Sequence, residues 1–374
     1  LQVEHPVTEL ITGIDLVEQM IRVANKEKLK LSQSDATING WAIENRLYAE
    51  DPYRNFLPSI GRLTRYRPPE EFESAEYVIR NDTGVFEGGE ISMYYDPMIA
   101  KLCTWAPTRE KAIEQMREAL DGFEVEGIGH NLPFLSAVMD HPRFIKGDIT
   151  TAFIEEEYPE GFVGVDLAEE ELMRIAASCA AMNRVAEIRR TKISGRMDNH
   201  ERRVGDDWIV TLQNKKYELK IVADHLGSTV LFKDGAKIRV EGRWTPGDQL
   251  AKMLVDETRL TMKVGKITGG FHIRNRGADL KVLVRSKIQS ELAYHMIEKT
   301  PPDTSKILMC PMPGLLVKID VQVGEEVQEG QALCTVEAMK MENILRADRK
   351  AKVKKVNVKA GDSLAVDETI MEFE

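Results

Sequence analysis

The stretch Ala332-Leu333-Cys334-Thr335-Val336-Glu337-Ala338-Met339-Lys340-Met341-Glu342-Asn343-Ile344-Leu345 governs how the rest of the chain is read. Alternating apolar runs stand on either side of a very short connection, which predicts two antiparallel strands joined by a tight turn. Lys340 falls at its tip. A hairpin tip faces solvent, so a lysine there can be handed to another protein, which a core lysine cannot.

Around this hairpin the sequence repeats. Residues 314–337 read GLLVKIDVQVGEEVQEGQALCTVE and residues 351–373 read AKVKKVNVKAGDSLAVDETIMEF. Ile319 matches Val356, Val321 matches Val358, Gly324 matches Gly361, Val327 matches Leu364 and Leu333 matches Ile370. Each half predicts short alternating strands about a Gly-Glu or Gly-Asp turn. Two such halves related by a pseudo-twofold close a small flattened β-barrel, with Lys340 on the turn between them.

At these residues the chain resembles the biotinyl carrier domain of biotin-dependent carboxylases. The family's Ala-Met-Lys-Met is intact as Ala338 to Met341, and its Pro-Met-Pro-Gly as Pro311 to Gly314. The resemblance implies a covalent biotin on Lys340, attached by a biotin protein ligase. Lipoyl carriers present a lysine on a similar hairpin, but usually as Asp-Lys; here the lysine follows Met339.

The chain has 374 residues, which suggests two or three domains. A net charge of −10 argues against a uniform basic face for nucleic acid. The runs Arg189-Arg190 and Lys350 to Lys355 read as solvated faces. No long apolar run predicts a membrane span. Cys103, Cys179, Cys310 and Cys334 lack metal-ligand spacing and fit buried small hydrophobes in a reducing compartment. No metal site is expected. The start, Leu1-Gln2-Val3-Glu4-His5-Pro6, resembles neither a signal nor a transit peptide and reads as the middle of an element.

The fold expected is multidomain α+β. Residues 1–160 form a mixed unit. Helices are predicted over 15–26, 109–121 and from Leu132 to Met139, where Pro142 ends the last; residues 36–49 have strand character. Residues 161–300 open with a long helix over 166–190, capped by Asp166 with Glu169 completing a capping box. Its face of Leu172, Ile175, Ala176, Cys179, Met182, Val185 and Ile188 must be buried. Eight short strands follow, at 207–212, 217–222, 229–232, 237–240, 250–255, 259–264, 271–276 and 280–285, suggesting an antiparallel barrel around the helix. Lys299–Lys306 is a Pro-containing linker (301–306 at its core), and 307–374 is the carrier domain, free to move between two active sites.

Gln2-Val3-Glu4-His5-Pro6, Asn45-Arg46-Leu47-Tyr48-Ala49-Glu50-Asp51-Pro52, Leu57-Pro58-Ser59-Ile60-Gly61 and Tyr94-Tyr95-Asp96-Pro97-Met98-Ile99-Ala100-Lys101 occur in order within the first unit. These motifs resemble the C-terminal subdomain of biotin carboxylase, an ATP-grasp enzyme. That resemblance implies Glu4 as general base toward bicarbonate. Gln2 and the backbone of Val3, with Glu4 and Arg46, would hold the anion. Arg46 would stabilise the enolate of biotin's ureido group, and Asp96 would orient Arg46 by a paired hydrogen bond. His5 reads as structural.

No Gly-x-x-x-x-Gly-Lys-[Ser/Thr] phosphate loop is present, and Gly84, Gly88 and Gly89 do not form one. ATP and Mg2+ would bind an upstream part of a longer subunit, and the chain by itself is expected to be inactive. Residues 161–300 are similar in position and pattern to the domain that joins the biotin-bearing subunit to a carboxyltransferase β subunit in α6β6 acyl-CoA carboxylases. Gly40-Trp41-Ala42, with residues 144–151 and 158–162, resembles the propionyl-CoA carboxylase α-subunit family rather than the methylcrotonyl-CoA type. Propionyl-CoA is then the final acceptor. The location implied is cytoplasmic in a bacterium or the mitochondrial matrix in a eukaryote. The competing expectations are the α subunit of a methylcrotonyl-CoA or other acyl-CoA carboxylase, and a carrier and assembly module without catalysis of its own.

Overall fold

The strand Trp41–Tyr48 pairs antiparallel with Met98–Ala106, which in turn pairs with Val78–Thr83 and through it with Phe72–Glu73. This sheet belongs to a computed structural model that describes residues 1–194, 203–297 and 306–374. The helix Arg109–Gly122 packs on it, driving Met116 and Leu120 against Leu47, Ile99 and Leu102. Thr108 caps that helix, accepting a hydrogen bond from the Lys111 amide. Two shorter helices, His5–Thr12 and Leu16–Ala24, precede the sheet. Asp15 lies just outside the second, accepting from the Glu18 amide at 2.7 Å. Its apolar residues follow helical spacing as expected, yet Met20, Ile21 and Val23 are exposed. The Leu132–Asp140 helix ends ahead of Pro142 as expected: His141 takes the extended conformation that a following proline favours, and Pro142 then opens the next helix, Pro142–Lys146.

The long helix runs Glu169–Thr191. Its start corrects the expected cap. Ala168 is the N-cap, and Glu171 reaches back to the Ala168 amide at 3.1 Å. Glu169 instead accepts from the hydroxyl of Tyr217 at 2.8 Å and pairs with Lys215. Burial also differs from a single stripe. Leu172, Ile175, Cys179 and Met182 are buried, but so are Ala177, Ser178, Ala180 and Ala181 on the remaining faces. Val185, near the far end, is exposed. A helix buried all round is an enclosed one.

The enclosure is a closed barrel of eight antiparallel strands: Asp207–Leu212, Lys215–Ala223, Gly227–Phe232, Lys237–Gly242, Leu250–Val255, Thr258–Ile267, Gly270–Asn275 and Ala278–Arg285, the last pairing with the first. All eight expected strands are present. Alternate residues point inward onto the helix, among them Val210, Leu219, Val230, Ala251 and Val282. A helix not foreseen in the sequence, Lys287–Ala293, follows. The expected linker falls on residues that, except for Lys306, lie outside the described ones.

The barrel is fixed to the first domain by polar contacts. Arg276 Nε donates to Asp121 Oδ2 at 2.6 Å, and Lys263 Nζ donates to the Leu120 carbonyl at 2.7 Å. Burial pushes the Lys263 ammonium down to about 8 and the Asp121 carboxyl up. Gly277, at φ +82°, presses so close that a Cβ there would lie 2.8 Å from Ala137 Cβ.

Residues 306–374 form two four-stranded sheets. Each repeat lends a two-residue strand to the other's sheet: Glu326–Val327 pairs with Ala351–Val356, and Ser363–Leu364 with Gly314–Ile319. The pseudo-twofold extends to single bonds. Gly324 N–H donates to Val353 O and Gly361 N–H to Leu316 O, both at 2.7 Å. Asp320 N–H donates to Leu333 O and Asn357 N–H to Ile370 O, both at 2.9 Å. This domain has its own core, including Leu316, Val327, Leu333, Val353, Leu364 and Ile370.

Candidate functional site

Strands Ala332–Ala338 and Met341–Arg346 pair with Ala338 opposite Met341, leaving Met339 and Lys340 as a two-residue turn. Both residues have positive φ, +49° and +61°. This is the primed turn that suits strand twist and is ordinarily built from Asn, Asp or Gly. The barrel's own turns of this kind follow that rule with Gln213-Asn214, Asp256-Glu257 and Arg276-Gly277. The carrier tip does not, and left-handed backbone costs an L-residue roughly 1–2 kcal/mol. Strain of this kind persists where the surroundings impose it, and it clusters at functional sites.

The tip rests on the first domain. The Met339 amide donates to the Met93 carbonyl at 2.9 Å. The Met339 side chain, 2% exposed, joins the first domain's core rather than the carrier's. Lys340 remains 65% exposed, with Nζ 3.8 Å from Asp96 Oδ1. The hairpin expected from the sequence therefore holds Lys340 at its tip, against the Met93–Asp96 loop. That loop leads into the Met98–Ala106 strand at the end where Met98 pairs with Tyr48.

Arg46 lies on the adjoining strand. Its Nη2 is 3.0 Å from Glu4 Oε2, joining residues far apart in sequence, and its Nε donates to Glu44 Oε1 at 2.6 Å. The Glu44 hydrogen bond holds the guanidinium above its usual pKa against the cost of partial burial. Glu4 sits at the N-cap of His5–Thr12, where a carboxylate meets the positive end of the helix. His5 Nδ1 lies 2.9 Å from the Gln2 carbonyl, in the turn that leads into Pro6. The Val3 carbonyl accepts from Lys101 Nζ at 3.0 Å. Glu4, Arg46, Gln2 and Val3 are thus brought together. Asp96 is not joined to Arg46 as expected; its ion pair is with Lys340, and Glu44 takes the place assigned to it beside Arg46.

Two residues of this cluster went unassigned in the sequence. Glu44 stands two positions before Arg46, hence on the same face of one strand, and its carboxylate is nearly buried. Lys101 is the cross-strand partner of Arg46. Strand period and register would have found both.

The family models for the biotin carboxylase C-terminal domain (residues 44–156), the propionyl-coenzyme A carboxylase BT domain (175–299) and biotin-requiring enzymes (306–373) match in series. Residues 1–32 match the ATP-binding domain of the carbamoyl-phosphate synthase L chain. Over its full length the chain is 70% identical to the propionyl-CoA carboxylase alpha chain of Ruegeria pomeroyi, covering 57% of that protein. It is 40% identical to the mitochondrial propionyl-CoA carboxylase alpha chain of Mus musculus, covering 52%. A methylcrotonoyl-CoA carboxylase alpha subunit from Arabidopsis thaliana is 32% identical over 98% of the chain, which covers 54% of it. The chain spans about half the length of these curated relatives. With the first of them 70% identical along the whole chain and the three domain families in the same order as the three folds, the chain belongs to the biotin-dependent carboxylase alpha chains of the propionyl-CoA carboxylase family.

Proposed function

We propose that this chain carries biotin as an amide on Lys340 Nζ, within an acyl-CoA carboxylase α subunit of the propionyl-CoA type. The carboxyl group is gained from bicarbonate with ATP and Mg2+. It is then delivered to a carboxyltransferase β subunit of an α6β6 complex, giving methylmalonyl-CoA. The barrel and its helix, 161–300, are the bridge to that β subunit. The observation that carries the reading is the seat of the Lys340 hairpin on the domain that holds Glu4 and Arg46.

The residues fit the prosthetic group. The Lys340 ammonium is exposed and has only a distant partner, so a biotin protein ligase can reach it once the hairpin lifts away. Amide formation removes the positive charge, so the Asp96 ion pair belongs to the unmodified lysine. When bound, biotin supplies a ureido nitrogen that takes up and gives back a carboxyl group. Glu4 accepts the bicarbonate proton, and Gln2 and Val3 line the anion's position. Arg46, pinned by Glu44, stabilises negative charge developing on the ureido oxygen. ATP and Mg2+ enter through the remainder of a full-length α chain. This sequence has no phosphate loop, and among the described residues no cluster of three His, Cys, Asp or Glu could hold a metal. The chain by itself, given ATP, Mg2+, bicarbonate and free biotin, forms no carboxybiotin.

The test is the intact mass of a full-length α chain containing this sequence, co-expressed with biotin ligase. One biotin adduct on the peptide holding Lys340 is expected, and Lys340→Arg abolishes avidin binding. An unmodified lysine under these conditions, or avidin binding that survives the substitution, overturns the reading.

A further inference from the structure

A third contact seats the carrier: Arg54 Nη2 donates to the Pro311 carbonyl, joining the first domain to Pro-Met-Pro-Gly. We propose that Arg54 is a positioning residue for carboxylation of the tethered group, docking the carrier domain by gripping the Pro311 carbonyl. The inference rests on Lys340 being the biotin-bearing residue.

The donor is held in place before the carrier arrives. Asp51 Oδ1 accepts from the Tyr53 amide at 3.0 Å, and the Asp51 carbonyl from the Phe56 amide at 2.8 Å. Directly after Arg54, Asn55 and Phe56 both take positive φ, +53° and +58°. Asn55 enters this region readily, but Phe56 does not, so its backbone is strained and must be imposed by its surroundings. The surroundings are aromatic. Tyr53 packs on Phe162 at 5.3 Å, and Phe56 meets Phe134 edge-on at 5.0 Å. The two anchors flank Arg54 and leave its side chain exposed.

The acceptor is equally fixed. Cys310 N–H donates to Glu368 O and Asp367 N–H to Cys310 O, both at 2.8 Å, while Cys310 Sγ donates to the Met312 carbonyl at 2.9 Å. Cys310 and Met312 are buried on either side of Pro311. The pseudo-twofold places Ala347 where Cys310 stands in the first repeat, with Ala347 N–H donating to Gln331 O at 2.9 Å. Beyond it the second repeat reads Asp348-Arg349-Lys350-Ala351, and Pro-Met-Pro-Gly does not recur. The backbone repeats through this segment, and it is the sequence that fails to repeat where it touches Arg54. Packing of the carrier explains the elements that repeat; a contact made by one half alone explains one that does not. A planar guanidinium suits this grip, since it offers several directed donors to a carbonyl.

The experiment uses a full-length biotinylated α chain containing this sequence. Arg54→Ala is expected to slow carboxylation of Lys340-linked biotin about tenfold, the low end for loss of a charge-assisted hydrogen bond. Free biotin, which needs no docking, is carboxylated at the parent rate. Arg54→Lys restores part of the tethered rate. Equal tethered rates in parent and Arg54→Ala, with both chains binding avidin, overturn the docking role and leave the biotin reading intact. Equal losses on tethered and free biotin also overturn it, since the arginine would then serve the carboxylating site. A parent chain that does not bind avidin removes the reading on which the role rests.

Discussion

Replacing Met339 by Asn separates two energies that the turn combines. Met339 is 2% exposed and lies in the first domain's core, so its burial depends on docking. Burying a methionine side chain contributes roughly 1.5–3 kcal/mol. Asn keeps little of this, so docking should weaken by about 2 kcal/mol, close to 30-fold. The backbone effect has the opposite sign. At φ +49° Met is disfavoured, while Asn enters the left-handed region readily. The hairpin should therefore gain about 0.5–1 kcal/mol from the same substitution. Hydrogen exchange on a full-length α chain reads both. The amide of residue 339, protected by the Met93 carbonyl, should exchange up to about 30-fold faster, limited by the docked fraction in the parent. Amides of the paired strands, such as Val336 and Asn343, should exchange at the parent rate or more slowly. Carboxylation of tethered biotin should fall with the docking, and avidin binding should persist. Undiminished protection at residue 339, or a destabilised hairpin, would refute this account of the tip.

The enclosed helix gives a second prediction. Ala177→Leu adds bulk where the barrel leaves none and should cost about 3 kcal/mol in denaturant unfolding; Val185→Leu, at an exposed position of the same helix, should cost under about 0.5 kcal/mol. Equal effects would mean that the helix is not enclosed. His130 is buried, and burial holds its imidazole down at about 3, below the ordinary value of about 6.5. The unfolded chain therefore binds the extra proton, and stability is lost as pH falls below 6.5. The expected loss by pH 5 is about 2 kcal/mol. It should be absent in His130→Gln when urea midpoints at pH 7 and pH 5 are compared. Glu4→Gln and Arg46→Ala in a full-length chain should each lower carboxylation of tethered and free biotin by about a hundredfold or more, with avidin binding intact. Parent rates in both would remove them from the chemistry.

What the sequence made legible was local and periodic. The Lys340 hairpin and the barrel strands could be read because alternation of apolar residues is a property of neighbouring positions. The two carrier halves could be read because they repeat. A barrel around the long helix was expected, but burial on all its faces was not, because Ala177, Ala180 and Ala181 are small residues that suit helical surfaces and tight packing alike. The cap was misplaced because Asp166 and Glu169 have good capping chemistry, but Glu169 finds better partners in Lys215 and Tyr217 across the barrel. Arg46 and Glu4 were singled out by resemblance; Glu44, which holds Arg46, required the strand's side-chain period. Asp96 pairs with Lys340 rather than Arg46 because the docked carrier brings Lys340 to it. That contact joins residues far apart in sequence, and local patterns do not encode it.

The two junctions with the first domain are built for different lifetimes. At the barrel junction, Asp121 and Lys263 are withdrawn from water, and Arg276 bonds Asp121 while Gly277 allows no side chain between the surfaces. Separating such surfaces would break a pair between a buried carboxylate and its guanidinium, a costly change when one partner is left buried. The barrel and the first domain should therefore move together. At the carrier junction the polar contacts are exposed or single: one backbone hydrogen bond at Met339, one guanidinium on Pro311, and a 3.8 Å ion pair that amide formation on Lys340 would remove. One methionine supplies most of the apolar burial that the tip makes there. Water can replace each polar contact as the surfaces part, so the carrier can leave without stranding a buried charge. On the proposed reading, modification of Lys340 would weaken the seat further by deleting an attraction that only the bare ammonium has. On that same reading the docked hairpin is a stopping point on a cycle, and the barrel junction is the fixture from which that cycle would be staged.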